Sequence, residues 1–188
     1  MEKKEREIRL INSKLEYKDL GGERTLEGYA VVFESPATHG YTEIIDKNAF
    51  NGADMRDVVL RYNHAETYPV LARTRNNSLQ LFIDDKGLKI RAKLLNTSFS
   101  EDIYKMVQEG LVDKMSFAFT VERQEWDFEK DTRRILQIDR LFDVSIVDEP
   151  FYDTTEVFAR SVDEFEKEKQ KYMNKQLEFN KKKFLLNI

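Results

Sequence analysis

Apolar residues recur at every second position along two adjacent segments in the middle of the chain. The first runs from Leu79 to Ile83 and the second from Leu88 to Leu94, with Asp84-Asp85-Lys86-Gly87 between them. A side-chain period of two is typical of a half-buried strand, and a short polar segment with glycine favours a tight turn. The two segments therefore predict a β-hairpin.

The same reasoning predicts further short strands over the first two thirds of the chain. They are Gly28–Phe33, Val58–Tyr62, Met115–Val121, Arg134–Asp139 and Asp143–Val147. Many short strands of this kind favour a closed or nearly closed β-barrel. A weaker pattern, around Lys47–Met55, predicts a helical turn.

One longer helix interrupts the strands. Ser98 and Glu101 have the spacing of a capping box, and Gly110 is placed to end the helix. Its apolar stripe consists of Ile103, Met106 and Val107. A second helix is predicted from Ser161, again with a capping-box partner at Glu164, through a segment rich in Glu, Lys and Gln. We expect a main domain over residues 1–160 and a charged helical tail over residues 161–188.

Composition narrows the class of protein. With 188 residues, 40% hydrophobic residues and 13 Phe, the chain is long and apolar enough for one folded domain. Its 31 basic and 35 acidic residues nearly balance, whereas a nucleic-acid binder usually has a basic excess. The absence of cysteine excludes disulfides and a thiol nucleophile. The charged N-terminus lacks the apolar stretch of a signal peptide, and no run approaches the ~18 apolar residues of a membrane span. We therefore expect a soluble, cytoplasmic protein.

Three residues of the predicted strands could form a nucleophile system. His64 follows the strand that ends at Tyr62, Ser116 lies in Met115-Ser116-Phe117-Ala118-Phe119, and Asp143 begins the last predicted strand. In such a system the histidine takes the serine proton, the carboxylate orients the histidine, and the serine oxygen attacks a carbonyl. Imidazole titrates near pH 6.5, which suits a base at neutral pH. The chain has only two histidines, so the choice of base is narrow.

Each of these residues also has an ordinary structural interpretation. Ser116 could be a strand serine on a polar face, His64 a surface histidine, and Asp143 a surface charge or the partner of an arginine. Other carboxylates remain open for the third position, namely Glu125, Asp139 and Asp148. His39 lies in a loop that matches no catalytic motif. Two histidines without cysteine or a His-Glu-x-x-His motif predict no metal site, and no glycine-rich phosphate-binding loop is present.

The order of short segments along the chain resembles a known family. The segments are Gly28–Ser35, Glu43-Ile44-Ile45, Asn48-Ala49-Phe50, Asn63-His64, Ala72-Arg73-Thr74, Asp85–Leu88, Met115–Phe119 and Asp143–Val147. This succession, from about Leu26 to about Arg160, resembles the prohead (capsid maturation) serine proteases of tailed bacteriophages of the HK97 type. That family is distantly similar to the herpesvirus capsid assembly proteases.

The resemblance implies a fold, an activity and a set of site residues. The fold would be α+β and β-rich, with a herpesvirus-protease-like barrel core, a few flanking helices and a C-terminal charged helix. Ser116 would be the nucleophile, His64 the base and Asp143 the third member, with no cofactor. The chain departs from the family pattern at three positions, each by a small change of side chain. Ala118 stands for the usual glycine, Ala65 for the acidic residue after the histidine, and Asp143 for the usual glutamate.

The resemblance also implies partners and a location. The substrates would be the major capsid protein and its scaffolding segment, and also the protease itself, which could form a homo-oligomer. It would act inside the immature capsid in the host cytoplasm, without binding nucleic acid or membrane. The tail has two interpretations, a helix docked on its own domain or an appendage for encapsidation or self-association.

Two rival functions stay open from the sequence. A degenerate protease-like domain could serve as a scaffolding protein in capsid assembly, which the three departures favour. A serine hydrolase of small esters is the other rival, although the chain lacks the Gly-x-Ser-x-Gly nucleophile elbow of the common version of that fold. Backbone N–H groups near Ser116 are the expected oxyanion donors, with Arg73, Arg133 and Arg134 as further candidates.

Overall fold

A computed structural model of the chain describes residues 4–11, 14–20, 22–148 and 156–186. Most of its elements are strands, with a short 3₁₀ helix at Thr74–Asn76. In chain order the strands are β1 Glu7–Ile11, β2 Glu16–Leu20, β3 Glu23–Val32, β4 Ala37–His39, β5 Tyr41–Ile45, β6 Val59–Tyr62, β7 Ala72–Arg73, β8 Leu79–Ile83, β9 Gly87–Lys93, β10 Lys114–Asp127 and β11 Thr132–Val147. The helices are α1 Ser98–Gln108 and α2 Glu156–Leu186. The fold is mixed α+β and rich in strands.

The strands form two sheets, and the described residues do not close into the barrel that the sequence predicted. The larger sheet has the order β1-β10-β11-β5-β4, with β6 on β11 and β7 on β6, and the smaller has the order β2-β3-β9-β8. Each sheet keeps free edge strands. The predicted strands Arg134–Asp139 and Asp143–Val147 are parts of the single 16-residue strand β11. Register shifts interrupt the pairing of the long strands β10 and β11, and neither strand pairs with a strand of the small sheet in the described part of the chain.

Strand β11 is the central strand of the large sheet and pairs with three others. Along one edge it pairs antiparallel with β10. Along the other edge it pairs parallel with β5 through its first residues and with β6 through Asp143–Ile146. Parallel neighbours place the ends of β6 and β11 on the same side of the sheet. The chain that leaves β6 therefore emerges beside the last residues of β11.

The core lies between the two sheets. Its largest fully buried side chains include Phe117 and Phe119 of β10, Leu26 of β3 and Ile135 of β11, all of them 0% exposed. The rings of Phe117 and Phe119 stack with their centroids 4.7 Å apart. The apolar face of β10 agrees with the predicted alternation. Because side chains alternate along a strand, the residues between these apolar ones lie on the opposite face of the sheet.

A buried ion network attaches the N-terminal strand to the large sheet. Arg9 donates to both oxygens of Glu43, at 2.5 and 2.9 Å, and Arg133 donates to Glu43 at 2.8 Å and to Glu7 at 2.6 Å. Glu43 and Arg133 are buried, with 4% and 5% of their surfaces exposed. Buried charges need such partners, because a single one left unpaired is strongly destabilising. The network therefore holds β1 in place along β10.

The predicted hairpin is confirmed as β8 and β9, which pair antiparallel. Gly87 opens β9, and a Cβ atom there would lie 2.0 Å from the carbonyl oxygen of Val31. No side chain fits that gap, so the close approach of β3 and β9 requires glycine. The sequence did not predict β1 and β2, because their charged residues obscure the strand pattern.

Helix α1 is confirmed with a corrected start. Its N-cap is Thr97, one residue before the predicted Ser98, and the Thr97 side chain accepts a hydrogen bond from the backbone N–H of Ser100. Gly110 follows the helix with a φ of 70°, as expected of a glycine after a helix end. At the predicted helical turn of Lys47–Met55, residues 47–52 form hydrogen-bonded turns that do not continue into a helix.

Helix α2 begins at Glu156, before Ser161, so that serine lies within the helix and does not cap it. Phe165 is 1% exposed and its ring lies 5.1 Å from Tyr41 and 5.2 Å from Trp126. Further along, Met173, Leu177, Phe179, Phe184 and Leu185 are exposed. The part of α2 around Phe165 is therefore docked on the large sheet.

The boundary between residues 160 and 161 stays a prediction, and residues 187–188 lie outside the described part of the tail. Among the described helices, none is long and apolar enough to cross a membrane.

Candidate active site

Strands β10 and β11 present four small or acidic side chains on one face. Ser116 pairs with Ser145, and Ala118 pairs with Asp143. Residues two apart on a strand share a face, and paired residues share it across the ladder. All four are buried, with 1% of Ser116, 1% of Asp143, 0% of Ala118 and 0% of Ser145 exposed. This face is therefore closed to solvent.

The turn after β6 brings His64 over this face. Strand β6 ends at Tyr62, which pairs with Ile146, and the next two residues, Asn63 and His64, have φ angles of 52° and 55°. This left-handed conformation is rare outside glycine, although asparagine adopts it more readily than most residues. It turns the chain sharply back across β11. An Asn-His pair at this point is therefore explained by backbone geometry.

Hydrogen bonds hold Asn63 in this unusual conformation. Its backbone N–H donates to the carbonyl oxygen of Ile146 at 2.9 Å. Its side-chain amide donates to Asp148 at 2.9 Å and accepts from the Asp148 backbone N–H at 3.2 Å. The Tyr62 hydroxyl donates to the same carboxylate at 2.8 Å. Asp148, a reserve candidate for the third member, thus lies beside the turn.

The structure brings the three predicted site residues together. Nε2 of His64 lies 2.7 Å from Oγ of Ser116, and Nδ1 of His64 lies 2.5 Å from Oδ1 of Asp143. The His64 side chain is 6% exposed. The imidazole therefore bridges a hydroxyl and a carboxylate through its two nitrogens. This is the arrangement in which a base can take the proton of a hydroxyl nucleophile.

The Ser116 hydroxyl has a second acceptor. Its oxygen lies 2.9 Å from the backbone carbonyl oxygen of Arg9, in β1, and β1 pairs with β10 so that Leu10 is opposite Ser116. A hydroxyl carries one hydrogen, so Ser116 donates either to Arg9 or to His64. The N-terminal strand is therefore part of the surroundings of the nucleophile.

The carboxylate of Asp143 is buried but well compensated. Burial raises its pKa, while the hydrogen bond and charge of His64, the charge of Arg6 and the hydrogen bond from Ser145 lower it, and the net pKa lies below the ordinary value. Arg6 donates to Oδ2, and Ser145 donates to Oδ1 at 3.0 Å. Asp143 is therefore held as a carboxylate.

Sequence reasoning missed two residues of this site, Arg6 and Ser145. Ser145 had a usable signal, because it lies two positions after Asp143 on a predicted strand and so shares its face. Arg6 had none, since β1 was not predicted and 137 positions separate it from Asp143.

The other candidates lie elsewhere. Asp139 accepts a hydrogen bond from Thr120 at 3.0 Å, and Glu125 is exposed on β10. The three arginines considered as oxyanion donors pair with carboxylates other than Asp143: Arg73 with Asp57, Arg133 with Glu7 and Glu43, and Arg134 with Glu34 and Asp46. His39 ends β4. Within the described ranges, no three His, Asp or Glu side chains form a group that could hold a metal ion.

A serine, a histidine and a carboxylate connected in this order have the geometry by which serine nucleophile systems are recognised. Comparison with known proteins specifies the family. Residues 12–168 match the caudovirus prohead serine protease family, and the chain belongs to that family.

Two individual proteins are similar to this chain. The prohead protease of Enterobacteria phage HK97 is 28% identical over 151 residues, which cover 78% of this chain and 64% of that protein. The chain thus spans less than two thirds of the length of this relative. The bacteriophage T4 capsid assembly protease has a similar fold, with a TM-score of 0.52 and 12% identity, over 77% of this chain and 98% of that one.

Proposed function

We propose that this protein is a serine endopeptidase that cleaves capsid and scaffold proteins of its own phage during prohead maturation. The observation that carries the proposal is the bridge from Ser116 through His64 to Asp143, with separations of 2.7 and 2.5 Å, in a chain of the prohead protease family. The relatives are a prohead protease and a capsid assembly protease. Their names connect both relatives with the prohead or the capsid, and we infer that the substrates of this chain are the capsid protein and its scaffolding segment.

The proposed reaction is acyl transfer by a serine hydroxyl. Nε2 of His64 takes the proton as Ser116 Oγ bonds to the scissile carbonyl carbon, and the imidazolium is stabilised by Asp143. His64 then gives this proton to the leaving amine, and an acyl-enzyme remains on Ser116. Water, deprotonated by His64, attacks the acyl carbon; the bond from this carbon to Ser116 Oγ then breaks, His64 returns the proton to Oγ, and the second product leaves. The side chains on this face thus supply nucleophile, base and counter-ion.

Productive binding requires a change from the closed geometry. Ser116 is 1% exposed, and its hydroxyl lies within hydrogen-bond distance of the Arg9 carbonyl. For attack, the hydroxyl must donate to His64 and the contact with β1 must open far enough to admit a peptide carbonyl. An extended substrate beside the sheet would suit a β-rich protease.

The first test is co-expression of the chain with the major capsid protein encoded by the same genome. Wild type and Ser116→Ala are compared by intact mass. A capsid-protein fragment that forms only with the wild type supports the proposal. Identical full-length masses in both, with shells still assembled, would instead support the scaffolding function, in which the Ser-His-Asp arrangement is not used.

A second test uses the purified chain and a fluorophosphonate, which forms a stable adduct with an activated serine hydroxyl. We expect one adduct, located at Ser116 by peptide mass spectrometry, and its loss in Ser116→Ala and His64→Ala. Ser35→Ala is the matched control, because Ser35 is exposed and distant in the chain from the site residues. Labelling of Ser35 or of several serines at similar rates would contradict a specific nucleophile. A panel of small esters then separates a peptidase from an esterase.

A further inference from the structure

Ser145 makes contacts with two members of the candidate site at once. Its hydroxyl donates to Oδ1 of Asp143 at 3.0 Å, accepts from the backbone N–H of His64 at 3.2 Å, and lies 3.2 Å from Nδ1 of the His64 ring. It is fully buried, with 0% of its surface exposed. We propose that Ser145 is a positioning residue that holds His64 in the orientation and tautomer required to accept the Ser116 proton. This inference rests on the function proposed above.

The hydrogen positions around Ser145 determine the tautomer. An ionised carboxylate only accepts hydrogen bonds, so the Ser145 hydrogen points to Asp143. The oxygen of Ser145 then presents lone pairs to its other neighbours, the backbone N–H and the ring nitrogen Nδ1 of His64. The oxygen lone pairs attract the hydrogen of a protonated Nδ1, whereas they repel the lone pair of an unprotonated Nδ1. Ser145 and Asp143 together therefore favour the Nδ1–H tautomer, which leaves the lone pair on Nε2 toward Ser116.

The backbone contact of Ser145 has a separate role. His64 has a φ of 55°, a left-handed conformation that a non-glycine residue adopts only when its surroundings hold it there. The hydrogen bond from its N–H to Ser145 is one of the contacts that hold this conformation. Loss of the Ser145 hydroxyl would leave a buried N–H without this acceptor and release one constraint on the imidazole.

A purely structural role for Ser145, as a small side chain that fills space between strands, makes different predictions. Ser145→Ala removes only the hydroxyl. Ser145→Thr and Ser145→Val are nearly identical in shape and differ in the hydroxyl, so their comparison separates hydrogen bonding from volume even when the alanine variant folds poorly. Ser100→Ala is the control, since Ser100 is a buried serine of α1 whose hydroxyl contacts the N-cap residue Thr97.

The deciding measurement is nitrogen-15 NMR of the histidine side chains. The chain has two histidines, so a single His39→Gln variant assigns both. In wild type we expect His64 to be protonated at Nδ1 when neutral, with a slowly exchanging Nδ1 proton. In Ser145→Ala and Ser145→Val we expect a mixture of tautomers and faster exchange of that proton, whereas Ser145→Thr and Ser100→Ala should keep the wild-type pattern.

Kinetics supply the second readout. We expect Ser145→Ala and Ser145→Val to lower kcat, or the rate of fluorophosphonate labelling, by about 10²-fold, as a misplaced catalytic group does, with little change in KM. Ser145→Thr should restore most of the rate. An unchanged His64 tautomer and rate in the alanine and valine variants would overturn the proposal, as would equal losses in Thr and Val. Because the NMR measurement needs no turnover, it decides on Ser145 even if the Ser116→Ala experiments reject the protease function.

Discussion

Arg6 donates a hydrogen bond to Oδ2 of Asp143, the carboxylate whose other oxygen lies 2.5 Å from Nδ1 of His64. The guanidinium also lies over the ring of Phe142, with 5.3 Å from Cζ to the ring centroid. Arg6 immediately precedes β1, so the N-terminal segment contributes a charge to the candidate active site. The buried carboxylate is thereby placed between two positive or proton-donating groups.

We expect Arg6→Ala to move the acid side of the pH–activity profile to higher pH. Arg6 is one of the groups that lower the pKa of Asp143, against the opposing effect of burial. Without it the pKa rises, and the carboxylate becomes protonated at a higher pH as the solution is acidified. The measurement is the rate of fluorophosphonate labelling from pH 4 to 8, in steps of roughly half a unit. Arg140→Ala is the control, because Arg140 also lies over Phe142, at 4.9 Å; an equal shift in both variants would contradict the assignment.

Asp143→Asn should abolish most of the activity while leaving the fold intact. An asparagine amide can donate to Nδ1 of His64, which favours the tautomer with the proton on Nε2 and removes the acceptor for the Ser116 hydrogen. In serine proteases this change costs about 10⁴-fold in kcat, and we expect a loss of that order. Asp143→Glu keeps the carboxylate and should retain part of the activity. Equal activities of the asparagine and glutamate variants would show that the charge is not used.

Glu27 gives a prediction for stability against pH. Its side chain is 2% exposed and pairs with Lys18 at 2.9 Å, Lys89 at 3.3 Å and Arg91 at 2.6 Å. Burial raises its pKa, but hydrogen bonds from these three cations outweigh it and lower the pKa from 4.5 to about 2. A lowered pKa in the folded state stabilises the fold above the unfolded-state pKa and ceases to do so as the pH falls to the folded-state value.

The corresponding experiment compares wild type with Glu27→Gln. At pH 7 we expect the variant to lower the free energy of unfolding by roughly 2 kcal/mol, a value reduced because the cationic partners are partly in solvent. The difference should shrink as the pH falls from 4.5 toward 2, and urea unfolding at a series of pH values measures it. Glu23→Gln removes the exposed pair with Lys93 and should change little. A constant difference at every pH would rule out the carboxylate charge as its cause.

Phe165 is the most deeply buried of the large hydrophobic side chains described on α2. Phe165 is 1% exposed, whereas Phe179 on the same helix is 63% exposed. Phe165→Ala should therefore lower the free energy of unfolding by about 3–5 kcal/mol, the usual cost of removing a buried phenylalanine. Phe179→Ala is the matched control and should stay within about 0.5 kcal/mol of wild type. Thermal unfolding by circular dichroism distinguishes them, and equal effects would mean that α2 is not held through Phe165.

Part of the fold could be predicted because it depends on local patterns. The hairpin of β8 and β9 follows from alternation and a glycine turn, and α1 from its cap and apolar stripe. Strand β1 could not be predicted, because its residues Glu7 and Arg9 look like solvated charges in the sequence. They are buried or half-buried only because Glu43 and Arg133, from distant segments, pair with them. The barrel prediction failed for a similar reason, since the division of the strands into two sheets depends on pairing between distant segments of the chain.

By itself the sequence determined the residue types and their order, and with the family resemblance it predicts Ser116, His64 and Asp143 as the site residues. Only the tertiary structure decided that the three meet, because their separations depend on the register of β10 with β11 and on the left-handed turn after β6. It also decided that Arg6 and Ser145 join them. Such contacts link positions far apart in the chain, and strand pairing rather than local sequence sets their distances.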